Sequence, residues 1–152
     1  MNDPRARKAT QAALMATADD TEASFYEAMQ QADLERMMAA WADEEDIACV
    51  HPGGPRVVGT VAVRAAFEAV FANGPVHVEV SHVHRYESAV CAVHHVTEKV
   101  QALTGKGFET AYVMATNVYV RTAEGWRMVA HHASAGMPQD LPDITEPRTI
   151  LH

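Results

Sequence analysis

The sequence predicts an α+β domain in which three helices precede an antiparallel sheet. Three observations carry this reading. Apolar residues in the first half recur mainly at spacings of three and four, those from Val76 onward recur every two, and Gly, Pro, Asn and Asp cluster at the joins. At 152 residues, the chain has the size of one ordinary domain with a single core.

Residues 1–18 carry no firm period and are expected to form a mobile N-terminal arm or a loosely attached helix. From Asp20 to Ala32 the apolar Ala23, Phe25, Tyr26, Met29 and Ala32 follow helical spacing, with Asp19 or Asp20 as the cap. Asp33 is expected to cap a second helix, whose Leu34, Met37, Met38 and Trp41 make one apolar stripe. The acidic run Asp43-Glu-Glu-Asp46 reads as a solvated turn. Ile47 to Val50 is a short strand closed by Pro52-Gly-Gly-Pro55. Gly59-Thr60 opens a third helix with Thr60 as its cap; Val63, Phe67, Val70 and Phe71 face inward, and Asn73-Gly74 stops it.

Everything after Pro75 is strand-like. Residues 76–86 alternate, Glu87-Ser88 turns the chain, and 89–100 form the return strand. Thr104-Gly-Lys-Gly107 is a loop, 108–121 a long strand, Ala123-Glu-Gly125 a turn, and 126–134 the closing strand. The tail, residues 137–152, carries Pro138, Pro142 and Pro147 and is expected to be irregular.

Composition narrows the function. Apolar residues make up 48% and charged residues 21%, a globular balance. A formal net charge of −8 argues against a nucleic-acid or anionic-membrane partner, which needs a basic face. No apolar run approaches the ~20 residues that span a bilayer, and the N-terminal segment lacks the continuous apolar stretch of a secretory signal. Cys49 and Cys91 sit in apolar strand-like runs. They read as two buried thiols in a reducing, cytoplasmic setting rather than as a disulfide.

The element order, together with three local stretches, resembles the nuclear transport factor 2-like superfamily, and within it the SnoaL-like and ketosteroid isomerase-like domains. The stretches are Trp41-x-x-Glu-Glu-Asp-Ile-Ala-Cys-Val-His-Pro-Gly-Gly54 followed by Gly59 and a helix, Ala115-Thr-Asn-Val-Tyr-Val-Arg121, and Gly125-Trp-Arg-Met-Val-Ala-His-His-Ala-Ser134. The resemblance spans roughly residues 19–136. It implies a cone-shaped, cystatin-like fold, with three N-terminal helices packed on a curved antiparallel sheet and a pocket open at one end. It also implies a homodimer packed sheet on sheet. The largely apolar character of both faces of the last strand points the same way.

Alternation assigns faces once one position is fixed. On the last strand Val129, His131 and Ala133 share one face, and Met128, Ala130 and His132 the other. The resemblance implies that His95, Asn117 and Ala133 face the pocket; Tyr119 shares the Asn117 face, and His131 joins them on the concave side. Tyr26 and Trp41 supply an apolar wall with polar tips. His51, at the end of the first strand, either lines the pocket rim or hydrogen-bonds the turn backbone. Asn117 is either a satisfied core amide or a ligand contact.

The chemistry expected of such a pocket is binding of a small, largely apolar molecule, with His51 or His131 as an acid–base group and Tyr26 or Asn117 as donor. No cofactor is expected. Isomerases and cyclases of this fold commonly use a carboxylate base. Here the pocket-facing positions offer none, because Glu98 is opposite in parity to His95. A zinc site from His82, His84 and His95, near Cys91, fits strand spacing but no metal-ligand motif, so no metal is expected. The competing class is a non-catalytic dimeric assembly module that uses the sheet face.

Overall fold

A computed structural model describes residues 15–147, apart from the side chains of 102–104. Helix α1 spans Ala18–Gln31. Its N-cap is Thr17, two or three residues before the expected Asp19 or Asp20. The extended backbone at Thr17 lets its hydroxyl accept from Asp20 N–H while Asp20 accepts from Thr17 N–H, a reciprocal capping box. Helix α2 spans Leu34–Ala40, and Asp33 caps it as expected. Trp41 lies just beyond the helix and bridges to Met128.

Strands β1 (Ala48–Val50) and β2 (Arg56–Val58) form a small hairpin that the sequence had shown only as a strand and a turn. Helix α3 spans Thr60–Phe71. Thr60 is not its cap. The cap is Gly59, whose φ of 93° turns the chain from strand into helix, and Thr60 Oγ1 donates instead to the Glu44 carbonyl. Four long strands follow: β3 (His77–Glu87), β4 (Cys91–Thr104), β5 (Gly107–Thr122) and β6 (Gly125–Ala135).

The strand order is β2-β1-β6-β5-β4-β3, and every pairing is antiparallel except β1 with β6. The sheet is therefore mixed at one side rather than wholly antiparallel. Two bulges matter for the site. On β6 one extra residue, Val129, separates the Tyr119–Met128 and Val118–Ala130 pairs. Met128 and His131 are consequently both buried, and the simple parity that put Met128 on the opposite face from His131 is corrected. On β3 the register shifts between Ser81 and His84, where His82 adopts a φ of +49°.

The core lies between the helices and one face of the sheet. Phe25 is at its centre, with its ring edge-on to Tyr26 (4.9 Å) and Phe67 (6.0 Å) and tilted against His131 (5.0 Å). The last residues of the expected arm are attached. Met15 is buried, its carbonyl accepting from Trp126 N–H at 2.8 Å; residues 1–14 lie outside the described residues. Residues 137–147 form no helix or strand, and 148–152 lie outside the described residues. Cys49 and Cys91 are unpaired, the first buried and the second half-buried. Among the described residues, no helix is long and apolar enough to cross a membrane.

Candidate functional site

Three elements send polar side chains into the core. On α1, Glu22 and Tyr26 are four residues apart, so they share the face that carries Phe25 and Met29 toward the sheet. On β4, alternation buries Ala92, His94, Val96 and Glu98. On β5 the buried set is Val113, Ala115, Asn117 and Tyr119, and Asn117 lies directly opposite His94. The neighbouring β6 contributes His131, opposite Asn117 on its other side.

These groups form two hydrogen-bonded chains. In the first, the Glu22 carboxylate accepts from Tyr119 Oη–H (2.7 Å) and from His94 Nδ1 (2.7 Å). In the second, Tyr26 Oη–H donates to Glu98 Oε2 (2.6 Å) while accepting from Asn117 Nδ2–H (2.9 Å); Asn117 Oδ1 accepts from His131 Nδ1 at 2.5 Å. The direction of each donor fixes the His131 tautomer with its proton on Nδ1. Trp41 Nε1 and His94 Nε2 are buried without a hydrogen-bond partner, although Glu87 Oε1 comes within 3.4 Å of the latter.

Burial separates the protonation states of these groups. It pushes Glu98 up from 4.5 to about 7, partly opposed by the Tyr26 hydrogen bond and reinforced by the charge of Glu22. Burial lowers His131 to about 3, helped by His51 and His132, so its imidazole stays neutral at physiological pH. His94 is raised: burial opposes its charge, but the hydrogen bond and charge of Glu22 outweigh that. Burial, then the carboxylates, raises Tyr26 and Tyr119 well above the usual phenol range.

Of the residues predicted from sequence, Tyr26, Asn117, Tyr119 and His131 converge in this cluster. Trp41 is buried against Phe25 and Phe67, as part of the wall. His51 is half-buried just past the end of β1, with its ring 5.0 Å from Phe67 and 6.1 Å from His131; burial lowers its pKa. His95 is displaced from its expected place. It is exposed on the opposite face, bonded to Thr116 Oγ1. The same one-residue correction turns Glu98 inward, which supplies the carboxylate that the sequence reading lacked.

Sequence reasoning missed Glu22, His94 and Glu98. Glu22 carried a signal, its four-residue spacing from Tyr26. The β4 pair did not, because both parities of residues 91–99 mix apolar and polar side chains and alternation cannot choose between them. Among the described residues, no group of three or more His, Cys, Asp or Glu is gathered to hold a metal ion. Phe25, Tyr119 and His131 are themselves buried. The cluster opens instead at the α1–β3 edge, into a cleft of about 300 Å³ lined by Glu22, Tyr26, Val78, Val80 and Arg85.

A family model described as SnoaL-like domain matches residues 19–138. A protein from Thiobacillus denitrificans, described as a candidate calcium/calmodulin-dependent protein kinase type II association domain, is 35% identical, with 82% of this chain and 98% of that chain covered and a TM-score of 0.74. One from Streptomyces avermitilis, described as a candidate dehydratase of the NTF2-like family, is 29% identical, with 88% and 99% covered and a TM-score of 0.70. A Caulobacter vibrioides protein with a cystatin-like fold shares 18% identity at a TM-score of 0.68, with 86% and 92% covered, a likeness of fold alone. No curated protein matches the chain.

Proposed function

We propose that this chain, which belongs to the SnoaL-like domain family of the NTF2-like superfamily, binds a small, largely apolar molecule at the α1–β3 edge and acts on it by acid–base chemistry. The observation that carries this is Glu98: a buried carboxyl group with a pKa of about 7, hydrogen-bonded to a tyrosine that lines a cleft. A group that titrates near the working pH both takes and gives protons efficiently. Tyr26 is the relay between Glu98 and the cleft. His94, oriented by Glu22 through Nδ1, is a second proton carrier at the same edge. Asn117 and His131 hold the Tyr26 hydroxyl in its donating direction. A pair of carboxyl groups in unlike environments suits a 1,3-proton shift or the elimination of water, in which one group removes a proton and another supplies one. The likeness to a candidate dehydratase agrees with that class.

A thermal-shift screen of small metabolites tests the reading, since a ligand that binds only the folded state raises the apparent melting temperature. The expected result is a ligand whose shift shrinks in Tyr26→Phe and Glu98→Gln. A ligand whose shift is the same in both variants as in the parent protein would remove the site from the α1–β3 edge.

A second reading, assembly through the sheet, has its own support. The outer face carries the half-buried Val93, Val118, Val120 and Ala130, and the Thiobacillus relative is described as a candidate association domain. Light scattering on the parent protein and on Val118→Asp tests it. A dimer that becomes a monomer in the variant supports sheet packing; a parent protein that is monomeric at all concentrations refutes it.

A further inference from the structure

The outer face of the sheet has a polar feature that the acid–base site does not use. His84 on β3 and His95 on β4 are direct cross-strand partners in the ladder, and their rings lie 6.1 Å apart at 29°. Both are exposed. His95 Nδ1 is bound to Thr116 Oγ1 on β5 at 3.0 Å, which fixes the ring and leaves Nε2 free. A hydrogen bond to one imidazole nitrogen is the usual device for orienting the other toward a metal.

The bulge isolates this pair. An unbroken β3 would set His82 and His84 on one face about 7 Å apart. The extra residue instead diverts His82 into a contact with Asp140 Oδ1 at 3.0 Å. Cys91, whose strand partner is Val120, is four residues along the strand from His95. The three-ligand zinc arrangement considered from the sequence is therefore reduced to two ligands.

We propose that His84 and His95 form a two-imidazole site for a divalent cation of the Zn²⁺, Ni²⁺ and Cu²⁺ class on the outer face of the sheet. Imidazole ligands suit these ions and discriminate against Mg²⁺ and Ca²⁺, which take oxygen ligands. Cross-strand neighbours have Cβ atoms about 5 Å apart, so modest rotation of the exposed His84 ring toward the held His95 ring brings both nitrogens onto one ion. Water completes the coordination, which makes the ion exchangeable rather than structural. Thr116 is a positioning residue.

Titration calorimetry of the full chain with NiCl₂ or CuCl₂, with MgCl₂ as the comparison, tests the site. The expected result is one transition-metal site per chain and no heat from Mg²⁺. His84→Ala and His95→Ala should each weaken binding at least tenfold, Thr116→Val by about tenfold, and His82→Ala should leave it unchanged. Paramagnetic broadening by Cu²⁺ provides a readout without variants: the His84 and His95 ring signals should vanish first. Binding that persists in the His84→Ala/His95→Ala double variant, or broadening that begins at other histidines, overturns the assignment.

Discussion

His94 and His95 are consecutive in sequence and opposite in circumstance. His94 is fully buried, bonded to Glu22 and close to Tyr119; His95 is exposed, stacked near His84 and tied to a threonine. The two faces of the sheet differ in the same way. The inner face gathers carboxyl, phenol, amide and imidazole groups where each is held by another, because a buried polar group left unpaired costs about 1–3 kcal/mol. The outer face carries polar side chains whose partners are optional, because water is available. Burial shifts pKa values on the inner face, while the histidines of the outer face stay open to solvent.

The sharpest break in that contrast is to hollow the inner side. Phe25→Ala removes the ring that touches Tyr26, Phe67 and His131, and should cost about 3–5 kcal/mol in urea unfolding.

The next effect is on pH dependence. Glu98 has its pKa raised from 4.5 to about 7, so between those values the folded chain keeps a proton that the unfolded chain has released. Its contribution is therefore greatest below the unfolded pKa and declines as pH rises through 7, by about 3 kcal/mol in all at 1.36 kcal/mol per unit. His131 acts in the other direction. Its pKa is depressed from 6.5 to about 3, so stability is lost as pH falls below 6.5. Denaturation curves of Glu98→Gln against the parent should show the variant gaining relative stability from pH 5 to 8. A flat difference would mean that Glu98 titrates normally and would remove the basis of the acid–base reading.

A smaller loss, about 2 kcal/mol, is expected for Asn117→Leu. It keeps the volume but leaves the Tyr26 hydroxyl and His131 Nδ1 without their shared partner. The least effect is expected on the outer face: His95→Ala should change unfolding stability by no more than about 0.5 kcal/mol, read from the same urea curves. A cost approaching that of Asn117→Leu would show that the outer face is buried, as in a dimer.

The sequence by itself determined the fold class, the long strands and the inward placement of Tyr26, Asn117, Tyr119 and His131. Spacing of three and four against spacing of two is written in the apolar residues, and the family stretches fixed β5 and β6. Only the tertiary structure decided β4 and the bulges. Residues 91–99 carry polar and apolar side chains on both parities, so a one-residue choice of register moves His95 out and brings His94 and Glu98 in. That choice is made by the partner strand and by Glu22 and Tyr26 reaching across from α1, 72 residues away in sequence, which no local pattern encodes. The pKa of Glu98 follows from the same placement: a carboxyl group acquires it by being enclosed, and enclosure is a property of the assembled chain.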